Sequence, residues 1–243
     1  MDDAQPILEY LPKSFRNSSD ADYIGFLWEA FESNYQNGKY QFAMLACHML
    51  YMSFVYFSVW QIKHSRPDDF SKSMVGFTKE NEKELLAATS PFTYWTINES
   101  RIFRFLKLIG CDNSHIGQFT KLVQQRNDIA HSNGNIFFRD QAAADIKIAE
   151  ILHQMAAIQT HMQPVIHDCL RRFLKEGHNP DEREYEDTAD QIREVLIHAN
   201  YFSQKDIESC LAFDINALSG EEHFQEINSL FDTLAAEYGT GES

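Results

Sequence analysis

From residue 126 the chain reads Arg126-Asn127-Asp128-Ile129-Ala130-His131, followed by Ser132-Asn133-Gly134. Arg126, Asn127 and His131 are the residue types that could do chemistry together. An imidazole titrates near neutrality and can take the proton from a ribose 2′-hydroxyl. A guanidinium offers a fixed fork of donors to a phosphate whose oxygens gain charge in the transition state. The attacking hydroxyl belongs to the substrate, so this chemistry calls for no metal, no cofactor and no protein nucleophile. The Asn127 amide could orient His131 or hold a phosphate oxygen. On a helix, Asn127 and His131 are i, i+4 neighbours, whereas Arg126 and His131 stand about 140° apart. Both would face one cleft if His131 sits where the helix unwinds toward Gly134, or if a second copy of the chain faces the first. A structural reading of the same residues stands beside this one. A histidine at a helix C-terminus is stabilised by the dipole there, and an arginine commonly pairs with a carboxylate such as Asp128.

The elements that must position these residues are helices. Ile116, Phe119, Leu122, Val123, Ile129 and Ala130 form the buried side of a helix from about Asn113 to the motif. An earlier helix follows Ser18-Ser19-Asp20, carries Tyr23, Phe26, Leu27 and Phe31, and stops at Asn37-Gly38. Further helices are expected over 40–64, from a cap at Thr78, from Asn98 to Gly110, and from Asp140 to Gly177 with a kink at Pro164. Three shorter ones should cover about 184–200, 203–212 and 220–237. Sustained two-residue alternation is missing throughout, so the expected fold class is all-α.

From Phe42 to Trp60, sixteen of nineteen residues are apolar, the exceptions being His48, Ser53 and Ser58. That is long enough to cross a bilayer. Its Met, Ala, Cys and aromatic content, with His48 inside, fits a helix buried at the centre of a bundle or in a dimer core better. No membrane association is expected.

RNDIAH, at the end of an amphipathic helix and followed by another long helix, resembles the R-x4–6-H motif of HEPN domains. The resemblance covers about residues 20–176 by helix pattern, and six to nine residues carry it specifically. It implies an all-α bundle of four or five helices and a metal-independent endoribonuclease whose site is completed across a homodimer. It further implies Arg126 and His131 as the catalytic pair, Asn127 as an auxiliary, RNA as substrate, and a toxin, phage-defence or RNA-processing setting. Two features depart from the pattern. Members controlled by AMPylation often carry Tyr two places after the motif histidine, where this chain has Asn133. The chain also continues well past the bundle. The alternative expectation is a non-catalytic RNA-binding or protein-docking module, favoured if Arg126 and His131 are separated or sealed by carboxylates.

The formal charge is −15, yet it is concentrated late. From His178 onward sixteen acidic side chains face only Arg183, Arg193 and Lys205, while the first 177 residues sit near neutrality. The organisation expected is a helical bundle over 1–177 and an acidic helical extension over 178–243. That extension cannot favour a polyanion. Glu184, Glu186, Asp187, Asp190 and Glu194 suit either a solvated face or a docking surface for a basic protein partner. Apolar residues such as Ile192, Leu196, Leu230 and Leu234 predict some packing of the section. Cys47, Cys111, Cys169 and Cys210 are widely spaced, and the start is acidic with no apolar leader, which points to a reducing cytoplasm. Cys47 reads as a buried structural thiol, and His153, His161 and His167 lack metal-ligand spacing.

Overall fold

Asn17 opens the first helix, α1 (Ser18–Gln36), in the computed structural model of the chain, which describes residues 2–131 and 134–239. Its side chain accepts the Asp20 N–H, and Ile24, Leu27, Phe31 and Tyr35 form the buried face. The helix stops at Asn37-Gly38, where Gly38 takes φ +68°, a conformation that glycine adopts without a Cβ penalty. Helix α2 (Tyr40–Ser65) then runs through the middle of the molecule, with α1 and a later long helix packed along it. It is long and apolar enough to cross a membrane, and 83% of its most apolar window is buried within the protein. Ser53 and Ser58 satisfy their hydroxyls locally by donating to the carbonyls of Met49 and Phe54.

Short helices α3 (Pro67–Lys72) and α4 (Lys79–Ala87) follow, the second capped by Thr78 as its sequence predicts. Lys63 of α2 closes the far end of α4, donating to the carbonyls of Leu85, Leu86 and Ala88 at 2.9, 3.0 and 3.2 Å. The helix expected over 98–110 is only one α turn, α5 (Glu99–Ile102), continued by a 3-10 run from Phe103 to Ile109. Three residues per turn align Phe103, Leu106 and Ile109 along one edge, and all three are buried. Phe105 stacks on Phe70 with ring centres 4.5 Å apart. Core packing thus overrode the α pattern, and Gly110 ends the run at φ +87°.

Helix α6 (Asn113–Ala130) starts at a capping box made by Asp112 and His115, and α7 (Gln141–Gly177) starts at Asp140. α7 continues through Pro164 as one helix. The chain ends with α8 (Thr188–Gln191), prolonged by a π turn over 192–198, then α9 (Gln204–Leu211) and α10 (Phe224–Tyr238). Among the described residues there is no β-strand, only an isolated bridge between Pro12 and Ser203. The fold is an all-α helical bundle.

The acidic section is not loosely appended. Leu196, Tyr201, Phe202, Ile207, Cys210, Leu230 and Leu234 are buried in the same core as α2 and α7. Asp206 of α9, itself buried, accepts from Gln61 of α2 at 3.1 Å and from Gln159 of α7 at 2.7 Å. Burial raises the Asp206 carboxyl above its ordinary value despite these hydrogen bonds. The other charged side chains of the section stay at or near the surface: Arg193 pairs with Asp190 and Glu194, and Asp187 caps α8.

Candidate functional site

The apolar stripe of α6 turns Phe119, Leu122, Val123 and Ile129 into the core and leaves Arg126 and Asn127 half-buried at its edge. Ala130, expected on the buried side, is exposed because the helix is already ending there. His131 is the C-cap residue, in extended backbone with φ −83° and ψ 142°, and its N–H still donates to the Asn127 carbonyl. The ring-bearing residue is exposed. Ser132 and Asn133 lie outside the described residues, as does any statement about the position two places after His131.

Arg126 and Asn127 line a polar cleft of about 500 Å³ together with Trp95, Asn98, Glu99, Ser100, Thr120 and Gln124. His131 is not among the residues lining it. The structure therefore brings two of the three sequence-predicted residues to one cleft and leaves the third at the helix end. The Arg126 partner is Glu99, at the start of α5, with Nη2 and Oε2 2.6 Å apart. The same Glu99 oxygen accepts from Nε2 of His48 at 3.2 Å, joining α2, α5 and α6 through one carboxylate. The Arg126 Nε is buried and has no hydrogen-bond partner among the described residues.

Glu99 and His48 escaped the sequence reading as site residues, although a signal for His48 was present. Of the three polar residues inside the apolar run of α2, serines can return a hydroxyl to the i−4 carbonyl, but a buried imidazole needs a partner from another element. The identity of that partner, fifty-one residues away, is a tertiary fact.

Burial pushes the Glu99 carboxyl upward, but hydrogen bonds from His48 and Arg126, together with their charges, outweigh it and hold the group below its ordinary range. His48 lies below its ordinary 6.5, because burial outweighs the attraction of Glu99. His64 is lowered too, by burial and by the nearby charges of Lys63, Arg16 and Arg172. Cys47, next to His48 in sequence, is fully buried and its thiol is pushed up to about 12, which leaves it inert as a nucleophile.

These shifts set a direction for stability. When a folded-state value is depressed, the unfolded chain takes up the proton first as pH falls. The stability contributed by His48 and His64 is thus complete above 6.5 and is lost as pH falls through their folded values. Glu99 acts with the same sign lower down, in the carboxylate range, where Asp206 opposes it. Thermal unfolding should shift to lower temperature between about pH 7 and pH 5.5, and His48→Gln should flatten that dependence. A variant with the wild-type slope would show that His48 is not the titrating group.

Among the described residues, no group of three or more His, Cys, Asp or Glu side chains is placed to hold a metal ion. An apolar cleft of about 470 Å³, lined by Tyr23, Met49, Met52, Tyr56 and Phe92, adjoins the polar one and shares Trp95 and Glu99 with it. Trp95 is 73% exposed and Phe26 66%. No protein-family model, curated protein or solved structure matches this chain.

Proposed function

We propose that the chain is a metal-independent endoribonuclease of the HEPN type, cleaving RNA by attack of the substrate's own 2′-hydroxyl. The observation that carries this reading is Arg126, fixed by Glu99 at the edge of a polar cleft that it shares with Asn127. The amides, hydroxyls and guanidinium lining this cleft are the groups that hold a phosphodiester. In this reading Arg126 stabilises charge on the phosphate, Asn127 holds or orients, and His131 moves the proton. Glu99 and His48 are positioning residues that keep the guanidinium in place. The setting proposed is cytoplasmic, in a toxin, phage-defence or RNA-processing role, with no membrane involvement.

Because His131 does not line the Arg126 cleft within one copy, the site would be completed by a homodimer. Tyr23, Phe26, Met49 and Trp95 provide solvent-exposed apolar side chains, three of which line the adjoining clefts, for such an interface. Light scattering at roughly ten micromolar should give twice the chain mass, and Phe26→Glu with Trp95→Glu should halve it. A wild-type monomer at that concentration would remove the composite site.

The experiment that tests the activity is incubation of single-stranded RNA with the purified chain in EDTA. The expected products end in 2′,3′-cyclic phosphate, and a strict requirement for Mg²⁺ would overturn the mechanism. A second reading has its own support. The ion pair of Arg126 with Glu99 offsets the charge that a phosphate would meet, which favours a non-catalytic module that docks RNA or, through its acidic section, a basic protein.

A further inference from the structure

A third cleft, of about 490 Å³, is formed where the start of α2 meets the segment entering α7. It is lined by Lys39, Tyr40 and Phe42 on one side and by Ile136, Phe138 and Arg139 on the other. The Phe137 N–H donates to Oε1 of Gln41 at 2.9 Å and holds the two sides together. Phe42 is 61% exposed and Ile136 59%, so large apolar surface stands open to solvent beside two cations.

The charge of this cleft is against the trend of the molecule. The chain as a whole carries a net −15. Lys39 and Arg139 form no ion pair among the described residues, and no acidic side chain lines the groove. Exposed aromatic faces next to unneutralised cations are how proteins hold single-stranded nucleic acid: bases stack on the rings while phosphates meet the charges. A basic-protein ligand would be repelled here, and a purely apolar partner would leave the two cations unmet.

Ile136 to Arg139 follow His131 by five to eight residues, on the connection between α6 and α7. Phe138 also lines a separate cleft against Gln125, Asp128 and Ile129 of α6, so it stands between the groove and the flank of the motif helix, where Asp128 and Glu150 make the lining acidic again.

We propose that this groove binds a segment of single-stranded RNA flanking the cleavage point, with a base stacked on Phe42 and backbone phosphates on Lys39 and Arg139. The inference rests on the ribonuclease reading for its choice of ligand, and its test does not depend on cleavage.

The probe is a fluorescein-labelled 2′-O-methyl oligouridine twelve-mer, which lacks the attacking hydroxyl, titrated with full-length protein by fluorescence anisotropy at several salt concentrations. Phe42→Ala should weaken binding about tenfold, the loss expected for one stacked base. Lys39→Gln with Arg139→Gln should weaken it and reduce the salt dependence by about 1.4 in log–log slope, for two phosphates on a single strand. Arg101→Gln with Arg104→Gln, away from the groove lining, serves as the charge-matched control and should change the slope less. All these positions except Arg101 and Arg104 are solvent-facing at the groove, and circular dichroism checks that each variant keeps its helices. Wild-type affinity and slope in both groove variants would overturn the proposal, as would failure of the wild-type chain to bind the oligomer at low salt. If the groove variants bind normally while unmodified RNA is still cut in an Arg126- and His131-dependent way, the groove falls and the motif stands. If the oligomer binds through the groove but unmodified RNA is never cut, the groove stands and the catalytic reading falls.

Discussion

His131→Ala is expected to lower the rate of RNA cleavage about 100- to 10,000-fold, the range for removing a general acid or base. Its melting temperature should stay close to wild type. The side chain is exposed, and the hydrogen bond that the residue gives the helix end comes from its backbone N–H, which alanine retains. Arg126→Ala should lower cleavage comparably, but it should also destabilise the fold by about 1–3 kcal/mol, discounted because both partners are partly exposed. Among the described residues, that substitution leaves Glu99 half-buried with only His48 to donate to it. Arg126→Lys separates the two effects, keeping a positive charge for Glu99 while losing the planar fork that a phosphate needs. Single-turnover cleavage in EDTA, with products identified by mass spectrometry and stability followed by thermal melting, checks all three. Cleavage at the wild-type rate in both alanine variants would sink the assignment of the motif.

Ending the chain at Gly177 is expected to abolish cooperative unfolding altogether. The acidic section supplies Leu196, Tyr201, Phe202, Leu230 and Leu234 to the core, and its loss would strip α7 of the packing that α9 and α10 give it, Phe213 on the His167 ring and Leu230 beside Gly177 included. Each large side chain left without its packing costs on the order of 2–5 kcal/mol, against a total stability of about 5–15 kcal/mol. Gln61 and Gln159 would also lose Asp206, the carboxylate that they share. Size exclusion should show aggregate, and circular dichroism should show no sharp transition. A truncated chain that melts cooperatively would mean that residues 2–177 fold independently of this cover. For the same reason, the electrostatic role of the section is better tested by neutralising exposed carboxylates such as Glu184 and Glu186 than by deletion.

The helices that local chemistry can specify were legible in the sequence. Asn37-Gly38, Thr78, Gly110 and Asp140 act within one turn of themselves, through caps and backbone conformation, so their effects can be read from neighbours in the chain. The burial of most of α2 was legible because sixteen apolar residues in nineteen favour the interior, although Phe42 and Met49 reach solvent. Arg126, Asn127 and His131 stood out by type and spacing. What they touch did not. Glu99 lies twenty-seven residues before Arg126, and nothing in ESRI marks it as the carboxylate that would hold both that arginine and His48. The 3-10 path of 103–109, the cleft shared by Arg126 and Asn127 without His131, and the seating of α8–α10 against α7 were likewise decided by tertiary packing. Capping and periodicity are set by residues within about a turn, whereas these contacts depend on how whole helices fill space against one another, and that has no local signature.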